Sequence, residues 1–143
     1  CTNHPVNLEA ELFGKHGDTN TNEFNDSLFV QSKNGTLFLD EIVDMPLEVQ
    51  EKILIYLREG IIYPVGAEDP IRLPVRIIAA SSKNLEKAMH NGTFLEDLYY
   101  LLNRISIQIP SLRSRKEDIP VIVENLLNKL NQEFGMNVKA LSN

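Results

Sequence analysis

The chain has no tryptophan, a single cysteine and only three histidines among its 143 residues. Cys1 by itself cannot close an internal disulfide, and His4, His16 and His90 stand too far apart to give a zinc-ligand spacing with it. No structural metal site is expected. Long apolar runs are missing too: none approaches the ~18 residues of a membrane span, and the opening Cys1-Thr-Asn-His-Pro5 lacks the basic-then-apolar pattern of a signal peptide. A cytoplasmic protein without membrane contact is expected. Positive charge is in short supply, with 14 Lys and Arg against 20 Asp and Glu and a net charge of −6. That balance works against attraction to phosphate backbones, so contact with DNA is expected only through other domains.

Apolar residues make up 43% of the chain and charged ones 24%, which suits a globular domain and not a disordered tail or a coiled-coil rod. At this size roughly two thirds of the unfolded surface can be buried, enough for a core without covalent staples. The start on Cys1 instead of methionine, and the end on Leu141-Ser142-Asn143 just after a helical pattern, read as a piece of a longer protein.

Val6 to Phe13 is amphipathic and stops at Gly14, as a short helix would. Lys15 to Asp26, rich in Gly, Asp, Asn and Thr with Phe24 as its one aromatic, reads as a long exposed loop. Thr36-Leu-Phe-Leu39 follows the turn signal Asn34-Gly35 and precedes two acids, the pattern of a buried parallel strand. Pro46 then suits a first helical turn, and Leu47, Gln50, Ile53, Leu54 and Leu57 keep helical spacing up to Gly60. Ile61-Ile-Tyr63 and Ile71-Arg-Leu73 predict a small edge hairpin, bounded by prolines 64, 70 and 74. Val75 to Ala80 is a second strand of buried type, Leu85 to Met89 a short helix, and Thr93 a candidate cap for a helix running to Leu102. Ile105, Ile107 and Ile109 alternate with polar residues and predict a third strand ending at Pro110. Ile119, Ile122, Val123, Leu126, Leu127, Leu130 and Phe134 trace the core face of a helix that stops at Gly135. Strand and helix alternating in this way predict an α/β fold with a three-layer parallel sheet.

The chemistry concentrates at Asp40-Glu41. A strand that delivers two carboxylates to its C-terminal end places them where open α/β sheets bind ligands. Asp40 is suited to magnesium, directly or through water, and Glu41 to polarising a water, the alternative being two solvated strand-end acids.

The continuous run from Asn34-Gly-Thr-Leu-Phe-Leu-Asp-Glu41 through Ile55-Tyr-Leu-Arg-Glu-Gly60 resembles the Walker B strand and following helix of the bacterial sigma-54-dependent activators, a branch of the AAA+ ATPases. Glu11-Leu-Phe-Gly14, Val65-Gly66, Val75 to Ala80, Phe94 to Asn103 and Pro110 to Pro120 match the same family in the same order. The resemblance implies a sheet of the P-loop NTPase AAA+ type: residues 1–110 as an α/β core lacking the phosphate-loop strand, and 111–143 as the start of a helical lid. It implies ATP and magnesium as cofactors of the parent protein, self-association into a ring, and remodelling of RNA polymerase that carries sigma-54. By motif position Glu41 would be catalytic, orienting the hydrolytic water, and Asp40 would serve magnesium. The sensor would fall on Ser82, beside Ser81, where the family commonly has an amide or imidazole. Arg113 and Arg115, with Lys116, would lie close to nucleotide or else form a solvated loop pairing with Glu117 and Asp118.

Three departures bear on function. Nothing matches G-x-x-x-x-G-K-[ST], the loop that holds the triphosphate, so this chain alone is not expected to bind ATP tightly. Where the family's remodelling loop reads Gly-Ala-Phe-Thr-Gly-Ala, this chain has Gly17-Asp-Thr-Asn-Thr-Asn22; Phe24 is either a displaced tip or, as favoured, a loop residue packing back. The two arginines that the family extends towards a neighbour's phosphates are Leu95 and Leu101 here; Arg104, beside them, is expected to cap a helix end. Tyr99-Tyr100 are expected at helix or subunit contacts. Two functions remain: an ATPase domain in its parent protein, or a non-hydrolysing regulatory or oligomerisation module.

Overall fold

A computed structural model describes residues 5–15 and 27–138. The loop calls on Gly17 to Asn22 and on Phe24 lie outside the described residues, as do those on Cys1, His4 and His16. The chain divides into two compact units, Cys1–Ile105 and Ser106–Asn143.

In the first unit, helix α1 (Pro5–Phe13) stops at Gly14, and a single turn α2 (Leu28–Gln31) follows, capped by the Ser27 hydroxyl accepting from Val30 N–H at 3.4 Å. Strand β1 (Thr36–Leu39) comes next and pairs in parallel with β4 (Arg76–Ala79), residue 36 opposite 76 through 39 opposite 79. Between them lie α3 (Leu47–Glu59) and the antiparallel pair β2 (Ile61–Ile62) and β3 (Ile71–Arg72), the expected hairpin. Helices α4 (Leu85–His90) and α5 (Glu96–Leu102) complete the unit. The α/β class is as expected, and the described part of the parallel sheet has two strands.

The core gathers on one side of that sheet. Leu37 and Leu39 enter it with Leu12, Phe13, Phe29, Ile53 and Leu98, where each fully buried large side chain contributes about 1.5–3 kcal/mol by leaving water. Phe13 stacks on Phe29 at 5.2 Å between centroids, and Phe29 meets Tyr56 edge-on at 4.7 Å. The other face differs from the buried strands expected: Phe38 and Ile78, register partners, are 58% and 44% exposed, because no described helix packs over them.

Helix α3 organises the unit. Its buried face is Val49, Gln50, Ile53 and Tyr56, and it ends where Gly60 turns left-handed at φ 70°, a conformation that costs glycine little. Lys52 on the same helix pairs with Glu9 of α1 and donates to Tyr63 O at 3.4 Å. The Tyr56 hydroxyl reaches the entry to β4, donating to Val75 O at 2.7 Å with Leu73 O at 2.9 Å, and accepting from Val75 N–H at 2.9 Å.

Three local readings are corrected. Thr93 does not cap α5; its hydroxyl donates to Ala88 O at 3.1 Å and closes the end of α4, leaving Leu95 at the N-cap of α5. Ile105 to Ile109 forms no strand, and its three isoleucines are 73–85% exposed, because a strand exists only through a ladder and no described backbone supplies one. In the second unit, α6 (Ile119–Phe134) forms as expected and ends at Gly135, but none of its residues is buried. One long helix with two short 3-10 turns, Leu112–Ser114 and Lys116–Asp118, offers too little apolar surface to cover the stripe.

Replacing Tyr56 with phenylalanine strands the part-buried Val75 N–H and removes the one O–H donor shared by Leu73 O and Val75 O. Equilibrium urea unfolding should show a loss of about 1–3 kcal/mol, far beyond what removing one oxygen from a solvated tyrosine would cost.

Candidate functional site

The ladder between β1 and β4 brings two distant segments to one sheet edge. Ala80 N–H donates to Leu39 O at 2.8 Å, and Ile42 N–H to Ala80 O at 3.0 Å, so the pairing extends past both strands to the residues that follow them. On the β1 side these are Asp40 and Glu41; on the β4 side, Ser81 and Ser82. Parallel strands share their C-terminal edge, so the two acids and the two hydroxyls are delivered together.

Glu41 sits in the left-handed region, φ 51° and ψ 48°, at the start of the 3-10 turn Ile42–Asp44. A non-glycine residue there is uncommon and must be held by its surroundings. Two contacts hold it: Glu41 N–H donates to Asp40 Oδ1 at 3.1 Å, and Glu41 Oε2 accepts from Ser82 N–H at 3.0 Å. The Ser82 hydroxyl, and after it the Ser82 N–H, keep the Glu41 carboxyl below the ordinary glutamate value. Glu41 is therefore ionised at neutral pH, a good hydrogen-bond acceptor and a weak proton acceptor.

Asp40 is exposed, with one carboxylate oxygen engaged by Glu41 N–H. Among the described residues no group of three or more His, Cys, Asp or Glu gathers to cage a metal. One carboxylate at a strand end is nevertheless the donor set magnesium uses when phosphate oxygens and water complete its octahedron. The residues thus fit a magnesium ion that arrives with a nucleotide, held by Asp40, and do not fit a dedicated protein cage.

Beside the acids, Lys83 pairs with Asp44 across the two segments. Both residues line a cleft of about 620 Å³, together with residues 45–47 from the first segment and Asn84, Lys87 and Thr93 from the second. Gln50, wholly buried, closes the unit behind it by bonding to Met45 O and Thr93 O. Sequence reasoning placed Gln50 on the apolar stripe of α3 without giving it a role; a lone amide on such a stripe is the signal that marks it.

Arg113 and Arg115 belong to the second unit, where Arg113 is exposed and Arg115 pairs with Asp118 at 3.6 Å, the local pairing that was one of the two readings. Leu95 packs against the core, and Leu101 is half-buried in α5. Tyr99 packs edge-on against Tyr100 at 5.4 Å and donates to Glu86 Oε1 at 2.9 Å, the carboxylate raising its phenol above the ordinary value. No described helix is long and apolar enough to cross a membrane.

The family model described as "Sigma-54 interaction domain" matches residues 1–108. The chain is 46% identical over 136 residues to the DNA-binding transcriptional regulator NtrC of Proteus hauseri, covering 94% of this chain and 29% of that protein. It is 44% identical over 137 residues to the transcriptional regulatory protein GlrR of Escherichia coli K12, covering 94% of this chain and 31% of the relative. Among solved structures, NtrX from Brucella abortus superposes with a TM-score of 0.90 at 35% identity, over 99% of this chain and 32% of that one. NtrX in complex with ATP superposes at 0.86 with 34% identity, over 99% of this chain and 30% of that one. The chain thus spans about a third or less of the proteins it matches.

Replacing Ser82 with alanine removes the hydroxyl and keeps the N–H, so the Glu41 pKa should rise towards 4.5 without reaching it. Carbon-detected NMR titration of the Glu41 carboxyl reads this directly. Because the folded value is depressed, the stabilisation from these bonds is complete above the unfolded value and is lost as pH falls through the folded one. Ser82→Ala should therefore narrow the stability difference between neutral and acidic pH.

Proposed function

The chain belongs to the sigma-54 interaction domain family, and from that premise we propose that it is the ATPase segment of a longer transcription regulator that remodels RNA polymerase carrying sigma-54. The observation that carries the reading is Glu41, whose carboxylate accepts from Ser82 N–H at 3.0 Å next to Asp40 at the shared C-terminal edge of two parallel strands. Such an edge is where α/β sheets present ligands to chemistry. The existence of an NtrX structure in complex with ATP supports nucleotide as the ligand.

In this reading Asp40 would hold the magnesium ion that arrives with ATP, and the ion would neutralise charge on the phosphates. Glu41 accepts a hydrogen bond from water and orients it, since a carboxylate of lowered pKa is better at positioning a water than at taking its proton. Ser82 fixes the Glu41 carboxylate, and its hydroxyl is the sensor candidate. This reading requires a phosphate loop supplied from outside these 143 residues, since none of the seven glycines stands in the required pattern; loss of the loop is the alternative. Ring assembly, DNA contact and engagement of polymerase belong to the whole regulator, with DNA bound by its other domains. By resemblance to the family, Arg113 and Arg115 are candidates for nucleotide contact.

A second reading has its own observation. Leu95 and Leu101 present no cation on α5, and loss of an arginine that stabilises transition-state charge costs ~10³-fold or more in phosphoryl transfer. On that basis the domain would act as a non-hydrolysing module that transmits assembly or nucleotide state.

ATP turnover by the full-length protein separates the two. With hydrolysis, Glu41→Gln should lower kcat by about 10²-fold or more, leaving ATP binding within a few-fold. Equal background rates in both proteins would defeat the ATPase reading and favour the module.

A further inference from the structure

We propose that Gln50 is a positioning residue for the acid pair: its buried amide locks the turn after Glu41 to the corner that starts α5. The proposal rests on the ATPase reading above. Gln50 is fully buried on the inner face of α3, yet its side-chain bonds all go to main chain outside that helix. Its Nε2 donates to Met45 O at 2.7 Å and to Thr93 O at 3.0 Å, and its Oε1 accepts from Leu95 N–H at 2.9 Å. Both amide protons and one acceptor site are spent on the main chain of two loops.

Each loop needs what Gln50 offers. Leu95 is the N-cap of α5, and the N3 residue Leu98 has no side-chain acceptor to reach back to its N–H, so Gln50 supplies one from another helix. Met45 closes the 3-10 turn behind Glu41, with its N–H bonded to Ile42 O at 3.2 Å. From that turn the bonds continue to the site. Asp44 N–H donates to Glu41 O at 2.9 Å, Ile42 N–H to Ala80 O at 3.0 Å, and Ser82 N–H to Glu41 Oε2 at 3.0 Å.

Volume alone does not call for an amide. Methionine or leucine would fill a similar space in the core of Ile53, Phe94 and Leu98, while leaving Met45 O, Thr93 O and the Leu95 N–H without these bonds. What the amide adds is geometry, because its three bonds form together only at one separation of Met45, Thr93 and Leu95. A slack turn at Met45 moves Glu41, and displacement of a catalytic group by ~1 Å is enough to cost about 10²-fold in rate.

The test uses the full-length protein carrying Gln50→Met, which keeps the volume and removes all three bonds, or Gln50→Glu. ATP turnover and hydrogen–deuterium exchange are read for each. Gln50→Met should lower kcat by about 10- to 100-fold with KM for ATP within about twofold, and should speed exchange in residues 41–45 and 80–83 as well as 93–98. Gln50→Glu should regain kcat relative to wild type as pH falls, because the protonated acid donates and accepts while the ionised form cannot donate. Faster exchange confined to 93–98 with kcat unchanged would overturn the proposal, as would equal losses in Gln50→Glu at every pH. If wild type shows no turnover above Glu41→Gln, the ATPase reading fails and exchange alone decides. Acceleration at 41–45 then supports the positioning role, and its absence overturns it. Should Gln50→Met not fold, Gln50→Glu carries the same comparison.

Discussion

Parallel pairing of β1 with β4 is the constraint on which the candidate chemistry depends. Glu41 and Ser82 are 41 residues apart in the chain, and they meet because the ladder that aligns Leu39 with Ala79 runs on for one more bond on each strand. An antiparallel arrangement would send the acids and the serines to opposite ends of the sheet. The ladder also accounts for the strained Glu41: with Ile42 N–H tied to Ala80 O, the chain leaves the strand in a left-handed turn, and the Ser82 bond holds the carboxylate in that turn.

Around this edge the core does two separable jobs. Its apolar part, from Phe13 and Phe29 to Ile53 and Leu98, gives cohesion without direction. Direction comes from two polar groups on one face of α3. Tyr56 holds the entry to β4 through Val75, and Gln50 holds the turn after β1 and the start of α5. One helix therefore sets the spacing of both strands' flanking loops, and the site between them inherits that spacing.

Legibility from the residues followed a physical divide. Thr36–Leu39 and Leu47–Glu59 were readable because a short apolar run before acids, and apolar residues at a 3.6 spacing between Pro46 and Gly60, each have essentially one solution. Asp40 and Glu41 were readable as a strand-end pair, and Ser82 by its place after β4. Thr93 was misread because a hydroxyl between two helices can accept from the N–H groups that start one or donate to the carbonyls that end the other, and here it serves the end of α4. Ile105 to Ile109 and the stripe of α6 report a capacity to pair or pack, while pairing and packing require a partner that the described residues do not supply. Gln50 was placed on the right face but not recognised, since an amide's worth depends on which loops surround it.

By itself the sequence determined most of the strands and helices, Ile105 to Ile109 excepted, that two carboxylates end the first parallel strand, and, through its motifs, which family the chain joins. Only the tertiary structure decided that Glu41 is held by Ser82, that Thr93 caps the wrong helix for its first reading, and that Gln50 joins the acid turn to α5. The reason is range. Periodicity and turn chemistry act over a few residues and are written locally, whereas a hydrogen bond across 41 or 45 positions exists only after the chain has closed on itself.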